Sequence, residues 1–364
     1  MSQIEKTADA LAAGYELVNE NVLLQLENYR ISLRSNSIEL LKKLENYFSH
    51  TLANSQANLP ADIEIVAIER EEPKLDLTFI DWKREPGKTG RKDSYLDLQG
   101  SRLVRKVRTG MIFLQSKHHL IAAGPCLAND NQLINYINSQ YMNYLQQQGA
   151  LICHAAAATF KGECLAIAGF SGGGKSTLML NLLEHPDAGY LTNDRLFLER
   201  SGESLSAKGI PKLPRINPGT IMNNDRLCSI LPEVRRVELS ALSKEELWDL
   251  EEKYDVFPEQ VYGPGKIVSK ARLRAVLILN WQRNSVDVCE INQVDINVRR
   301  DLLPAVMKSP GPFYQYPDGS FYRDDTPLDD QSYIALLGEV EVFEVIGKVD
   351  FEFARRYCLE HIIQ

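Results

Sequence analysis

A mixed α/β fold in two parts is predicted, a smaller β-rich domain followed by an α/β domain, and three observations predict it. Midway along the 364-residue chain, the apolar run from Cys164 stops at Gly169, crosses a glycine-rich loop and restarts beyond Lys175-Ser176-Thr177 as an apolar helix ending near Leu183. Around that loop, Ala150 to Phe160 and Glu163 to Ala168 are apolar enough for strands buried on both faces. Ahead of it, short alternating segments broken by turn residues fill Ile63 to Gly124, the pattern of a mostly antiparallel sheet. The joint falls at Gly149, giving domains 1–148 and 149–364.

Residues up to about Arg30 carry mixed helical signals, with Leu17, Leu23, Leu24 and Leu26 among polar residues, and read as a loosely attached helix. From Asn36, the pattern Asn36-x-x-Glu39 opens a helix with Leu40, Leu41, Leu44, Tyr47 and Phe48 on one face. Ile63-Glu64-Ile65 and Leu75 to Phe79 alternate as strands do, and the basic stretch Lys83 to Lys92 reads as a solvated turn. Three further β-rich segments run from Asp93 to Gly124. His118 and His119 on a strand would point to opposite faces, and no third metal ligand accompanies them. Asn129 or Asp130 then caps a helix through Leu145.

In the second domain, Ala188 to Leu198 reads as one strand with the polar trio Asn193-Asp194-Arg195 at its middle. The segment from Gly209 to Thr220 is punctuated by prolines and is expected to be a constrained loop carrying Lys212 and Arg215, either a phosphate or protein-binding element or a rigid connector. Ser243 to Glu252 looks like a short acidic helix. The turn Tyr262-Gly263-Pro264-Gly265-Lys266 precedes an apolar central strand, and a strand and helix close the chain.

Composition bounds the function. Hydrophobic residues at 44% and charged residues at 25% are ordinary for a globular chain. A net charge of -8 argues against a nucleic-acid partner or an anionic membrane, since both are held by lysine and arginine. The six cysteines lack a C-x-x-C spacing, no apolar run approaches a membrane span, and the N-terminus lacks the basic start of a signal peptide, so a cytoplasmic location is expected.

The chemistry concentrates at the loop. Gly169 and Gly174 hold the fixed positions of G-x-x-x-x-G-K-[ST], with Ser171, Gly172 and Gly173 between them. Backbone N–H groups unshielded by side chains can wrap a polyphosphate, Lys175 can neutralise its outer oxygens, Ser176 can hold a magnesium ion, and Thr177 opens the helix whose positive end faces the same charge. Asp194, on a neighbouring strand, is a second candidate for that magnesium. ATP with Mg2+ is the ligand these residues call for. His154 alone reads as a core histidine as readily as a functional one.

These residues together resemble the HPr kinase/phosphorylase family, and more closely the HPr-kinase-related proteins. The resemblance runs from about Leu151 to Trp281 and rests on four features: His154, the loop GFSGGGKS, Asn193-Asp194-Arg195 where the family has an acidic pair and arginine, and a Gly-Pro-Gly-Lys turn before a long apolar strand. It implies a phosphoenolpyruvate-carboxykinase-like domain that transfers the γ-phosphoryl group of magnesium-ATP to a hydroxyl, that of a serine in a protein or peptide. It further implies His154 as a residue that supports the base or relays a proton, Asp194 as a metal ligand and Lys266 as a cation near the transferred phosphoryl; family members form closed oligomers, so a homo-oligomer is implied as well. Two departures stand out. The presumed base position is Asn193, whose amide cannot take a proton, and Thr177 replaces an acid. A small-molecule kinase or ATPase, and a nucleotide-sensing module without transferase activity, therefore remain alternatives, although no LSGGQ-like segment of a transporter ATPase is present.

Overall fold

The structure is a computed structural model that describes residues 2–53, 60–84, 90–170, 172–243, 246–247, 250 and 252–363. The acidic helix expected from Ser243 lies largely outside the described residues, as do Glu85 to Thr89 of the basic turn and Ser171 of the loop. The chain forms two compact units, Met1–Gln148 with Ser309–Pro327, and Gly149–Lys308 with Leu328–Gln364. The passage at Gln148 to Gly149 ends a long helix, but the later segment 309–327, expected in the second domain, belongs to the first unit.

In the first unit, β1 (Val22–Leu26), β2 (Tyr29–Ser35), β3 (Ile63–Glu69), β4 (Ile80–Asp81), β5 (Asp93–Leu98), β6 (Ser101–Lys106), β7 (Ile112–Ser116) and β8 (Leu120–Gly124) form one sheet in the order 1-2-3-8-7-6-5-4. Its pairings are antiparallel except β2 with β3, which helix α2 (Ile38–Tyr47) connects as a crossover, and β3 with β8, which are both parallel. Leu23, Leu24 and Leu26 therefore stand on β1 rather than on the N-terminal helix, which is only α1 (Gln3–Ala12). The cap of α2 is Ser37, whose hydroxyl accepts from Leu40 N. Asn36 instead pairs with the backbone of Glu69 through both its amide groups. Leu75 to Phe79 forms no strand, and His118 and His119 lie in the β7–β8 turn. Helix α3 (Asp130–Gln147) runs as expected.

Arg102 explains why residues 309–327 join this unit. Fully buried, it donates to both carboxylate oxygens of Asp97 and to the carbonyls of Pro312 and Tyr322, with its guanidinium over the rings of Trp82, Tyr95 and Phe321. A planar cation that satisfies its donors this way can remain out of water.

The second unit holds β9 (Leu151–Cys153), β10 (Ala155–Phe160), β11 (Glu163–Gly169), β12 (Ala188–Thr192), β13 (Leu196–Ser201), β14 (Ser204–Lys208), β17 (Lys270–Leu279), β18 (Glu290–Val294) and β19 (Glu341–Ile346) in one nine-stranded sheet; β15 (Arg215–Ile216) and β16 (Tyr254–Asp255) pair separately. Strand β17 is the branch point, because its first residues pair with β14 while Ala275 to Leu279 lie parallel to β19, and the whole strand runs parallel to β11. Alternation divides the core between two faces. Leu165, Ile167 and Leu277 pack with Leu178, Met179 and Leu182 of helix α4 (Lys175–Leu182). Ala166, Ala168, Val276 and Ile278 face Leu302, Leu303, Tyr333 and Leu337. Both faces are thus covered, which is why these strands read as continuous apolar runs. Among the described residues no helix is long and apolar enough to cross a membrane.

Candidate nucleotide site

Two interruptions in the sheet build the site. The run ALICHAAAATF is broken at His154, between β9 and β10, and the run Ala188 to Leu198 is broken at Asn193-Asp194-Arg195, between β12 and β13. Because β9 pairs with β13 while β10 pairs with β12, the breaks lie opposite each other. His154 is therefore at a strand junction, its N–H spent on Val306 O at 2.7 Å, and not within a strand. Register places both breaks at the loop end of the sheet: Ala155 opposes Ala168, one residue before Gly169, and Ala157 opposes Thr192.

Across this gap His154 Nε2 lies 3.2 Å from Asp194 Oδ1, and Arg195 Nε donates to Asp194 Oδ2 at 3.0 Å. Burial alone would raise the Asp194 carboxyl, but Arg195, His154 and Lys212 outweigh it and hold the group well below the usual carboxylate range. Burial also pushes His154 below the ordinary histidine value; the bond to Asp194 opposes that shift, and Lys175 and Lys308 add to it. At neutral pH the pair is consequently a neutral imidazole donating from Nε2 to a carboxylate, which leaves Nδ1 with the lone pair. Asn193 sits beside it with its Oδ1 buried and unpartnered among the described residues.

The loop itself is held from behind. Gly174 caps α4 at φ 86°, a left-handed backbone that suits glycine, and no side chain caps the helix end. A Cβ at Gly174 would stand 2.5 Å from the Phe351 ring, and one at Gly169 2.9 Å from Leu279. Trp281 donates from Nε1 to Gly173 O at 2.8 Å and stacks edge-on against Phe351. Lys175 Nζ lies 2.9 Å from Gly169 O, within the loop it serves. The uncapped first turn, the glycine backbone of the loop and the orphaned Asn193 oxygen fit a polyphosphate and its hydrated cation. Lys175 and the loop amides would hold the phosphates; Ser176 and Asp194 would be the magnesium ligands. Among the described residues no cluster of three or more His, Cys, Asp or Glu side chains makes a metal site by itself, so such an ion would depend on phosphate oxygens and water.

His154, Lys175 and Asp194 are thus brought together. Thr177 is turned to Thr220, their hydroxyls 3.0 Å apart. Lys266 is not brought to the loop, which corrects the expectation for it. Its ammonium donates to the carbonyls of His185, Pro186 and Ala188 at 3.1, 2.8 and 2.8 Å. Ala188 opposes Phe160, which opposes Glu163, so Lys266 pins the end of the sheet remote from Gly169. Trp281, Phe351 and Lys308 carried no signal of their own. Trp281 could have been found from the parallel pairing of β11 and β17, which carries the end of β17 to the loop.

No family model matches the chain. Over 144 residues it is 29% identical to the methionine import ATP-binding protein MetN of Lactobacillus acidophilus, covering 34% of this chain and 41% of that protein. Over 121 residues it is 35% identical to methionine import ATP-binding protein MetN 2 of Bacillus cereus, covering 29% of this chain and 34% of that one. The chain therefore spans less than half the length of these relatives. Among solved structures, the Hpr(Ser) kinase/phosphatase from Coxiella burnetii superposes with a TM-score of 0.30 at 10% identity, over 58% of this chain and 89% of that one. The similarity to ATP-binding proteins agrees with the loop geometry: this is an α/β protein with a P-loop of the nucleotide-binding type.

Proposed function

We propose that the protein is a magnesium-ATP-dependent kinase that transfers the γ-phosphoryl group to a hydroxyl, that of a serine on a protein or peptide partner. The observation that carries this reading is the pairing of His154 with Asp194 at the loop end of the sheet, beside Lys175. Binding and hydrolysing a nucleotide needs the loop; a neutral imidazole oriented by a carboxylate is what a hydroxyl acceptor additionally needs. In the proposed step the bond from the γ-phosphorus to the bridging oxygen of ADP breaks as the acceptor oxygen bonds to phosphorus. The acceptor's proton passes to His154 Nδ1, and Asp194 stabilises the imidazolium that results. Asn193, an amide, then orients rather than deprotonates. Magnesium, when bound, neutralises charge on the phosphates. A phosphoenolpyruvate-carboxykinase-like domain, a cytoplasmic setting, a homo-oligomeric state and the absence of nucleic-acid and membrane partners belong to the same reading.

Incubation of the purified protein with γ-labelled ATP and magnesium, alone and with host lysate, tests it. Label on a protein that Lys175→Ala fails to transfer is expected. Label on a small molecule would favour a metabolite kinase, release of free phosphate alone an ATPase of the kind suggested by the MetN similarity, and binding without transfer a nucleotide sensor.

A further inference from the structure

We propose that Lys212 is a second phosphoryl-binding cation, meeting the phosphoryl oxygens beside Asp194. The inference rests on the kinase reading and adds to it a residue whose position the fold fixes with unusual care. Lys212 lies on the segment between β14 and β15, where Pro211 and Pro214 restrict the backbone on either side. Its carbonyl accepts from Tyr190 Oη at 2.5 Å, and its N–H donates to Ile210 O at 2.7 Å. Just upstream, Gly209 lies so close to β12 that a Cβ would fall 1.9 Å from Leu191 O. Just downstream, Arg215 pairs with Asp255 across β15 and β16, and Val256 N donates to Pro214 O at 2.8 Å. The loop is thereby held against β12 through Tyr190 and Leu191, and against Asp255 and Val256 through Arg215 and Pro214.

So firm a mooring would suit a structural lysine, yet the Lys212 ammonium makes no hydrogen bond or salt bridge among the described residues. Lys266, by comparison, spends its donors on three carbonyls. Lys212 is half-buried, and the groups around it conflict: Asp194 and Asp255 favour its charge, Arg195 and Arg215 oppose it. Burial is the largest influence, and together these push the ammonium down to about 8. A half-buried ammonium without a partner is costly to maintain, and an incoming anion would remove the cost. The phosphoryl group in flight, its charge spread over three oxygens, is such an anion, and Asp194 places it within reach.

The test is binding of magnesium-ADP with and without aluminium fluoride, a mimic of the phosphoryl group in transfer. The wild type should bind ADP and bind it more tightly with the fluoride. Lys212→Met should leave ADP affinity within about threefold while losing about 30-fold or more of the fluoride-dependent tightening, the scale expected for removing one transition-state donor. Lys212→Arg, which keeps the charge, should retain most of it, and circular dichroism should show that both variants fold. Full tightening in a folded Lys212→Met protein would overturn the proposal while leaving the kinase reading intact. A wild type that binds ADP but shows no tightening, or binds no nucleotide, would overturn both.

Discussion

Lys266→Met separates a structural lysine from a catalytic one. The substitution keeps the length of the side chain and removes three hydrogen bonds from an ammonium in a residue only 8% exposed. Hydrogen bonds from a charged donor contribute about 1.5–3 kcal/mol each. The several kcal/mol needed to desolvate the ammonium offset part of the sum, leaving a net loss of about 2–4 kcal/mol. In a unit of roughly 200 residues each kcal/mol moves the melting temperature by about 2–4 °C, so the variant should melt about 5–15 °C lower. Thermal unfolding by circular dichroism gives that number, and binding of a fluorescent ATP analogue at 15 °C, below the variant's transition, should match the wild type within about twofold because the pinned carbonyls lie at the far end of the sheet. An unchanged melting temperature with abolished nucleotide binding would refute the reasoning and return Lys266 to the phosphate site.

Three further outcomes follow from the same geometry. Because burial depresses His154 below its ordinary 6.5, its contribution to stability is complete above pH 6.5 and is lost as pH falls below that value; His154→Asn should flatten the pH 5–7 part of a stability curve measured by urea denaturation. Asp194, depressed below 3.8, should lose its contribution only as pH falls under 3.8, so Asp194→Asn should leave the pH 5–7 region unlike that of His154→Asn. Gly174→Ala forces a side chain into a left-handed backbone, at about 1–2 kcal/mol, and into the Phe351 ring, and should weaken ATP binding at least tenfold in a direct titration.

Much of the second unit was legible because its signals are local. The loop from Gly169 to Thr177 declares itself by spacing, and β10, β11 and β17 by unbroken apolar runs that only two-sided burial explains. What local pattern could not supply was the alignment of breaks. His154 and Asp194 are 40 positions apart, and each looks like a polar residue inside a strand until the pairing of β9 with β13 and β10 with β12 sets the interruptions side by side. Resemblance to a family pointed at both residues; the physics that couples them lies in the register. Lys266 misled because a Gly-Pro-Gly-Lys turn describes a backbone and says nothing of where a long flexible side chain ends. In the first unit, Val22 to Leu26 failed as a helix since so short a leucine-rich run fits either period, and its pairing partner decided. Arg102 was silent for the same reason: its partners at Pro312 and Tyr322 are more than two hundred residues away.

The claim on which the rest depends is that the loop amides, with Lys175, form a cradle for magnesium-triphosphate. Isothermal titration of magnesium-ATP into the wild type and Lys175→Ala, both verified as folded, measures it directly. One site per chain in the wild type, weakened at least tenfold in the variant, is the predicted result; equal affinities, or no binding by the wild type, would contradict it.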